Sequence, residues 1–404
     1  MTDTSRTFVV TGAQVFDGRT PEHRDVHVVD GQISALTAAE PPIPGVARID
    51  GIGCTLLPGM IDCHTHSSGD ATEIALRFGV TTELDMNSMP AWMDGVRRRS
   101  ATRDDVADIR SASFGVTVPG GHPTHWMEPA QRNAYPSLSD PGVAKKFVAD
   151  RVAEGADYIK VFAENGAALG EPDLPATPPD IVAAIAREAH EAGLLVIAHA
   201  TSRRAAEIVV RNGVDGLAHV FVDAPATTAL VELFVERGVF VVPTLVTLGA
   251  ALGEYSGAEL ADDPRVSPYI ADDLRDNLRR TWTPRHVASR IEYALATVGL
   301  LHGAGVPILA GTDAARVGFH GTCHGVSLHQ ELRLLVQAGL TPSEALTAAT
   351  SAPADVFAMP DRGRIAPGLQ ADLLLVEGDP CADITDSLSI RRIWRRGVEL
   401  TRTH

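Results

Sequence analysis

The stretch Leu56-Leu57-Pro58-Gly59-Met60-Ile61-Asp62-Cys63-His64-Thr65-His66 decides how the rest of the chain is interpreted. It is an apolar run that ends in two histidines, one residue apart. Residues i and i+2 of a β-strand point to the same face. His64 and His66 can therefore direct two imidazoles at one point, as a transition-metal site requires.

Length and composition limit the class of protein. The chain has 404 residues, of which 45% are hydrophobic, which suits a barrel of roughly 250 residues with a smaller companion domain. The net charge of −16 argues against nucleic acid or an anionic membrane surface as a partner. No apolar run approaches the length of a membrane span.

The cysteines and the first residues predict a location. The four cysteines form no CxxC pair and suggest no disulfide framework; they are Cys54, Cys63, Cys323 and Cys381. Residues 1–6 lead directly into a strand pattern without the apolar segment of a secretory signal. We therefore expect reduced thiols and a cytoplasmic protein.

Short strands separated by turns dominate both ends of the chain. Val26–Val29 is followed by Asp30-Gly31, a hairpin signal. Strand and turn patterns return over Gly363–Val376 and again over Ile390–Glu399. We predict one small β-sandwich domain formed by both chain termini, from residues 1–55 and 363–404.

Between the two ends, short apolar runs alternate with helical stretches, which is typical of βα units around a parallel sheet. Eight runs share this pattern: Leu56–Ile61, Val80–Met86, Ile109–Val118, Tyr158–Phe162, Leu194–Ala198, Gly216–Val220, Val239–Leu245 and Val306–Ala310. We predict that residues 56–362 form an α/β domain, a (β/α)8 TIM-like barrel. The charged segment Gly249–Leu300 is expected to be helical and to cap the barrel mouth.

Functional side chains of such a barrel lie at the C-terminal ends of its strands. The candidates at five strand ends are His64 and His66, Lys160, His199, His219 and Asp313. Taken singly, His199 or His219 could be an ordinary buried histidine, and Asp313 could be a helix cap. Their agreement favours a metal site.

Lys160 lies inside the apolar run Tyr158–Phe162, where a buried ammonium is costly. Desolvation lowers the pKa of a lysine, and the neutral amine can add carbon dioxide. The product is a carbamate, an anionic ligand whose two oxygens can bridge two cations. The alternative is an ammonium that pairs with Asp313 or Glu164.

The chain resembles the amidohydrolase superfamily of metal-dependent hydrolases over essentially its whole length. Pro58–His66 matches the opening motif of that superfamily, and Gly311-Thr312-Asp313-Ala314 matches its last-strand motif. The chain is most similar to the imidazolonepropionase-like branch, which includes binuclear Xaa-Pro and Xaa-Arg dipeptidases and ochratoxin-type amidases. Ile159-Lys160-Val161 stands where that branch has a carboxylated lysine that bridges two zinc ions.

The resemblance implies two divalent metal ions as cofactors, with zinc expected, although manganese and iron accept the same ligands. The implied ligands are His64, His66 and Asp313 for the more buried metal, His199 and His219 for the second metal, and Lys160, carboxylated by carbon dioxide, as the bridge. A metal-bridging hydroxide would attack a carbonyl, and Asp313 would pass the proton to the leaving group. Deaminases of this superfamily carry His-x-x-Glu, whereas this chain has His199-Ala200-Thr201-Ser202, which disfavours deamination.

Two loops supply the predicted substrate contacts. Pro119–Trp126 contains a Gly-Gly-His segment like that of dipeptidases and amidases of the branch. We predict that His122 is catalytic and donates to a substrate carbonyl oxygen, and that His125 binds substrate, unless it only packs within its loop. Arg316 and His320 are also predicted to bind substrate, Arg316 through a carboxylate unless it pairs with a surface aspartate.

These features predict a binuclear amidohydrolase that cleaves an amide or peptide-type bond in a dipeptide, an N-acyl amino acid or a related small molecule. One alternative is that the same centre hydrolyses a lactone, carbamate or phosphoester. Another is a mononuclear amidohydrolase that acts on a cyclic amide, and a third is a scaffold without activity. The expected partners are a small-molecule substrate and, in a homo-oligomer, further copies of the chain.

Overall fold

The computed structural model describes residues 6–38, 45–170, 174–283 and 287–403. Within these residues the strands are β1 (Phe8–Thr11), β2 (Gln14–Phe16), β3 (Pro21–His23), β4 (Asp25–Val29), β5 (Gln32–Thr37), β6 (Ala47–Asp50), β7 (Cys54–Pro58), β8 (Met60–Thr65), β9 (Val80–Asp85), β10 (Asp108–Ser111), β11 (Ile159–Phe162), β12 (Val196–His199), β13 (Gly216–Ala218), β14 (Phe240–Val242), β15 (Leu373–Glu377), β16 (Ile390–Arg395) and β17 (Val398–Glu399).

The α-helices are α1 (Ala71–Arg77), α2 (Pro90–Thr102), α3 (Pro129–Ala134), α4 (Ala144–Ala153), α5 (Pro179–Glu191), α6 (Arg203–Arg211), α7 (Thr228–Arg237), α8 (Leu245–Leu252), α9 (Ala258–Asp262), α10 (Asp272–Arg279), α11 (Ile291–Gly303), α12 (Val326–Gln337), α13 (Pro342–Ala348) and α14 (Ser351–Val356). Short 3-10 helices span Thr124–Trp126, Pro141–Val143, Ala167–Leu169, Ser267–Tyr269 and Ile384–Leu388. Strands and helices alternate through the middle of the chain, as the hydrophobic pattern predicted.

Two parallel sheets form the centre of the molecule. One has the order β10-β9-β8 and the other the order β11-β12-β13-β14. Isolated parallel bridges continue the pairing, because Thr65 pairs with Ala314, Val116 with Val161, and Val241 with Ile308. The predicted run Val306–Ala310 thus contributes a bridge rather than a continuous strand.

The two ends of the chain share mixed sheets. One sheet has the order β5-β4-β1-β6, and the other, β17-β16-β15-β7-β2-β3, combines strands from both termini. The predicted hairpin is present, since β4 and β5 pair antiparallel and its turn residues Asp30 and Gly31 have φ angles of 50° and 81°. Leu56 and Trp394 belong to one apolar core cluster with residues of both sheets.

The first apolar run is divided between two kinds of sheet. β7 pairs antiparallel with β15 in a terminal sheet, whereas β8 pairs parallel with β9. Gly59 separates them, and a Cβ on this residue would lie 2.3 Å from the Thr81 hydroxyl oxygen. The close approach therefore requires glycine at the point where the chain passes from one sheet to the other.

Helix boundaries follow local sequence signals. α5 begins at Pro179 and is followed by Gly193 at φ 73°, which matches the preference for proline at the start of a helix and for glycine after its end. The predicted helical segment Gly249–Leu300 contains α9, α10 and most of α11. Within the described ranges, no helix has both the length and the apolar character needed to cross a lipid bilayer.

Candidate metal centre

Three predicted ligands meet at the end of β8. His64 is the fifth residue of that strand, and His66 follows it directly. Asp313 Oδ1 lies 3.2 Å from His64 Nε2 and 3.0 Å from His66 Nε2. The candidate ligand atoms of the three residues lie within 4.8 Å of one another, so the group could hold a metal ion.

The other two predicted histidines continue this group. The His219 ring centroid lies 4.8 Å from that of His64 and 4.5 Å from that of His199. His199 in turn stacks on His122, with centroids 4.6 Å apart and planes at 21°. The structure therefore brings all four predicted histidine ligands and the predicted catalytic histidine into one ring cluster.

Lys160 is buried in β11, with no exposed surface. Among the described residues its Nζ has no hydrogen-bonding partner. Glu164 is the alternative partner predicted for a Lys160 ammonium. Its carboxylate instead accepts hydrogen bonds from backbone amides of its own loop and from Thr201 at 2.7 Å. Burial lowers the pKa of Lys160 to about 7, although the charges of Asp313 and Asp85 oppose the shift.

The loop that carries Asp313 is fastened to β8 by a buried carboxylate. Asp62 accepts hydrogen bonds from the Thr312 hydroxyl at 2.6 Å, from the Thr312 amide at 3.0 Å and from the His64 amide at 3.1 Å. Gly311 permits the contact, because a Cβ there would lie 2.9 Å from the His64 backbone nitrogen. Asp62 thereby fixes the spacing between the His64 and Asp313 backbones.

Two of the candidate ligands have a strained backbone. Asp313 and His219 have φ angles of 58° and 68°, a left-handed conformation that costs a non-glycine residue roughly 1–3 kcal/mol. The His219 Nδ1 lies 2.6 Å from the Thr244 hydroxyl. This contact orients the ring and leaves Nε2 as its second nitrogen for a ligand.

Burial and neighbouring charges keep His64 and Asp313 in the forms that bind cations, whereas at His66 the effect of Asp313 outweighs burial and raises the pKa. Burial lowers the pKa of His64 to about 3 and that of His122 to about 3. Burial alone would raise the pKa of the Asp313 carboxyl, but His64 and His66 outweigh it and hold the pKa well below its usual range. At neutral pH His64 and His122 are neutral and Asp313 is ionised.

The cluster opens into a cavity of about 610 Å³. Four of the predicted catalytic or substrate-binding residues, His122, Asp313, Arg316 and His320, line this cavity. His125 is not among its lining residues in the described part of the chain; its ring packs 4.7 Å from that of Trp126 and 5.4 Å from that of His122.

A family model for amidohydrolases matches residues 55–399, which is most of the chain. The chain belongs to the amidohydrolase family. The resemblance predicted from the two strand-end motifs is thus confirmed, and the protein is a hydrolase of that family.

Known proteins similar to this amidohydrolase cover between 80% and 98% of its length. A Mycobacterium tuberculosis protein of unassigned function is 27% identical over 330 residues, covering 80% of this chain and 78% of the relative. Ochratoxinase from Aspergillus niger is 24% identical over 454 aligned positions, covering 97% and 86% of the two chains. A crystal structure of a Xaa-Pro dipeptidase with bound methionine superposes with a TM-score of 0.77 at 20% identity, over 98% of this chain and 99% of that one. The structural likeness shows the shared fold.

The residues at this amidohydrolase site fit a metal centre. Neither ring nitrogen of buried His64 has a hydrogen-bonding partner among the described residues, and the same is true of Lys160 Nζ. Unpartnered buried polar atoms are costly. A bound cation would satisfy an imidazole nitrogen of His64, whereas Lys160 could bind a cation only after conversion to a carbamate. Imidazole and carboxylate ligands suit zinc and its neighbours.

Sequence reasoning missed the outer part of the site. Trp282, Phe319 and Leu174 line the cavity but were not predicted to do so. Trp282 lies outside any strand end, after α10, so position in the barrel pattern could not identify it. A tryptophan in an otherwise charged segment is the one signal that the sequence offered.

Proposed function

We propose that the protein is a binuclear metal-dependent amidohydrolase that cleaves an amide or peptide-type bond in a small carboxylated substrate. The supporting observation is the group of buried nitrogen atoms without hydrogen-bonding partners in the described residues, on His64 and Lys160. They lie beside a carboxylate that faces two imidazoles. A fold that needed these side chains only for stability would pair them within the protein.

The proposed holders of the metals are His64, His66 and Asp313 for one ion, His199 and His219 for the second, and carboxylated Lys160 between them. A pKa of about 7 makes the amine of Lys160 available for carbon dioxide near neutral pH. When bound, two divalent cations, in our proposal zinc, would lower the pKa of water and polarise the scissile carbonyl.

The side chains of the protein carry the proton and orient the substrate. Asp313 is ionised at neutral pH, so it can take a proton from the attacking water and deliver it to the leaving nitrogen. His122 is neutral, and one of its ring nitrogens can donate to the substrate carbonyl oxygen as charge develops there. Arg316 and His320 lie farther along the cavity wall, where we assign them to the rest of the substrate.

The relatives support a carbon–nitrogen bond as the target. One relative is named an ochratoxinase and one structural neighbour a Xaa-Pro dipeptidase. The sequence His199-Ala200-Thr201-Ser202 lacks the glutamate of the deaminases, and Arg316 suits a substrate carboxylate. N-acyl amino acids and dipeptides combine an amide with such a carboxylate.

A hydrolysis screen tests this proposal. The protein, reconstituted with zinc and bicarbonate, is offered N-acyl amino acids, dipeptides, carbamates, lactones and phosphoesters, with Asp313→Asn as the matched inactive control. We expect release of an amine from the first two classes by the native protein and not by the control. Activity confined to lactones or phosphoesters would overturn the amide assignment.

The predicted barrel, terminal domain, location and oligomeric state are also proposals. We propose that the two parallel sheets, joined by their isolated bridges, belong to one (β/α)8 barrel, and that the terminal sheets form a β-sandwich. The pairing of β7 with β15 supports a first domain boundary a few residues after 55 and a second near 363. We also propose a cytoplasmic homo-oligomer; the four cysteines are free thiols.

A further inference from the structure

Aromatic rings line the cavity from the candidate metal ligands to the mouth. The His199 ring stacks on His122 at 4.6 Å, and His122 meets Trp126 edge to face at 4.8 Å. Trp126 then stacks on Trp282, with centroids 6.3 Å apart and planes at 17°. A substrate held at His199 would extend along this wall.

The two indoles and Phe319 form one group. The Phe319 centroid lies 5.8 Å from that of Trp126 and 5.8 Å from that of Trp282, with the planes at 73° and 76°. The two indole planes are thus nearly parallel, and the Phe319 ring meets both of them at a steep angle. Such a group presents flat apolar faces and ring edges, which are the surfaces that attract another aromatic ring.

Trp126 is the exposed member of this group and offers apolar surface to a ligand. Trp126 is 48% exposed, although it lies in a cavity beside other apolar side chains. Leu169 and Leu248 line the same cavity, so an occupant would have apolar surface on several sides. A cavity lined by apolar and aromatic side chains with a few polar groups is typical of small-molecule binding sites.

Among the described residues that line the cavity, one guanidinium lies beside the rings. Arg316 lines the cavity, and its guanidinium carbon lies 5.4 Å from the Phe319 ring centroid. Within the described residues Arg316 makes no ion pair, unlike most arginines of the chain. An arginine stacked on a ring retains its in-plane donors for a carboxylate.

We infer that the substrate carries a planar aromatic group that lies against Trp126 and Trp282, and a carboxylate that Arg316 binds. The class is therefore aromatic N-acyl amino acids, or dipeptides with an aromatic side chain. This inference rests on the proposed function, because it assigns the substrate class of the same site. In this inference Trp126, Trp282 and Phe319 determine substrate specificity. The bond-breaking step is assigned to the proposed metal ligands and His122.

The kinetic test compares matched substrates. kcat/KM is measured for N-acetyl-L-alanine, N-acetyl-L-phenylalanine and N-benzoyl-L-alanine, which separate the two positions at which the ring can stand. We expect at least one aromatic substrate to exceed N-acetyl-L-alanine by at least about tenfold. In Trp282→Ala and in Trp126→Ala this ratio should fall to about threefold or less.

Two control variants separate recognition from general damage. Trp92 lies on α2 and is 36% exposed, outside the cavity lining, so Trp92→Ala should keep the native substrate ratio. Trp282→Phe retains an aromatic face and should recover most of the ratio that Trp282→Ala loses. A ratio that survives both Trp126→Ala and Trp282→Ala would overturn the inference.

A substrate acid and its amide test whether Arg316 binds the carboxylate. Arg316→Met removes the charge and keeps a long side chain, so KM for N-benzoyl-L-alanine should rise by about tenfold or more, which is the scale of a lost charged hydrogen bond. N-benzoyl-L-alaninamide lacks the carboxylate, and its kcat/KM should differ little between the two proteins. Equal effects on the acid and the amide would remove the carboxylate from the inference.

A binding measurement distinguishes failure of this inference from failure of the proposed function. Calorimetry compares 3-phenylpropanoate with propanoate, which need no hydrolysis. Tighter binding of the aromatic acid that Trp282→Ala abolishes, without turnover of any amide, would support the aromatic site and refute the amide assignment. Equal turnover of all three substrates, or equal binding of both acids, would refute the aromatic site alone.

Discussion

Two buried histidines of this protein, His329 and His64, differ in their hydrogen bonding. His329 on α12 has a partner for each ring nitrogen, with the Ser387 hydroxyl 2.9 Å from Nδ1 and the Phe78 carbonyl oxygen 3.0 Å from Nε2. His64 at the end of β8 is equally buried, yet neither of its nitrogens has a hydrogen bond in the described structure. Asp313 lies 3.2 Å from His64 Nε2 but outside hydrogen-bonding geometry.

We interpret the difference as that between a histidine that stabilises the fold and one that is available to a ligand. Burial of a polar group is costly unless it is paired. His329 is paired within the protein and needs nothing further. The nitrogens of His64 and Lys160 lack hydrogen bonds among the described residues, which is why we propose the metals there.

The largest effect is expected at Asp313, whose carboxylate faces His64 and His66. In Asp313→Asn the amide cannot accept a proton, so kcat should fall by at least about 10³-fold. The fold should persist, as judged by circular dichroism and by the unfolding midpoint. Near-normal kcat in a folded, metal-loaded Asp313→Asn protein would remove both proposed roles.

A smaller effect is expected at His122, which stacks on His199 but takes no metal in our assignment. As a donor to the developing oxyanion, its loss in His122→Ala should lower kcat by about 10²–10³-fold. Metal content should stay at the native value. If only KM rose, His122 would be a binding residue instead.

The smallest effect concerns His329 and appears in stability rather than in catalysis. Burial lowers the pKa of His329 from 6.5 to about 4, so below pH 6.5 the unfolded chain takes up a proton that the folded protein does not. Stability should therefore fall as the pH falls from about 6.5 to about 4, by at most roughly 3 kcal/mol from this residue. Urea unfolding of metal-free protein at several pH values measures it.

The matched variant for this prediction is His329→Gln, which cannot titrate. Its free energy of unfolding should vary less with pH over the same range than that of the native protein, while kcat at neutral pH stays near the native value. An identical pH dependence in both proteins would show that His329 is not one of the groups that link stability to pH.

The sequence predicted which residues meet in the candidate metal centre, because these residues occupy regular positions at the ends of strands. His64, His199 and Asp313 each follow a short apolar run, and parallel strands bring such ends together. Their meeting needed no knowledge of loop shape. His329 occupies no such strand end, and its two hydrogen-bonding partners agree with a structural role.

The aromatic residues that line the cavity could not be predicted from the sequence, because they lie in loops. Trp282 follows α10, and Phe319 lies in the loop after Asp313; no periodicity fixes where such side chains point. The division of the first run at Gly59 was also missed. Continuous apolar character describes β7 and β8 equally well, although they belong to different sheets.

The bridge at Lys160 is the central claim, and metal content together with kcat in Lys160→Ala tests it most directly. The native protein should bind two metals per chain, and Lys160→Ala should lose metal and activity together. Added acetate or propionate should restore part of both, because a small carboxylate can occupy the vacated space. Lys160→Met fills that space without charge and Lys160→Arg retains a charge, so neither should be restored. A Lys160→Ala protein with two metals and full activity, without added acid, would contradict the account.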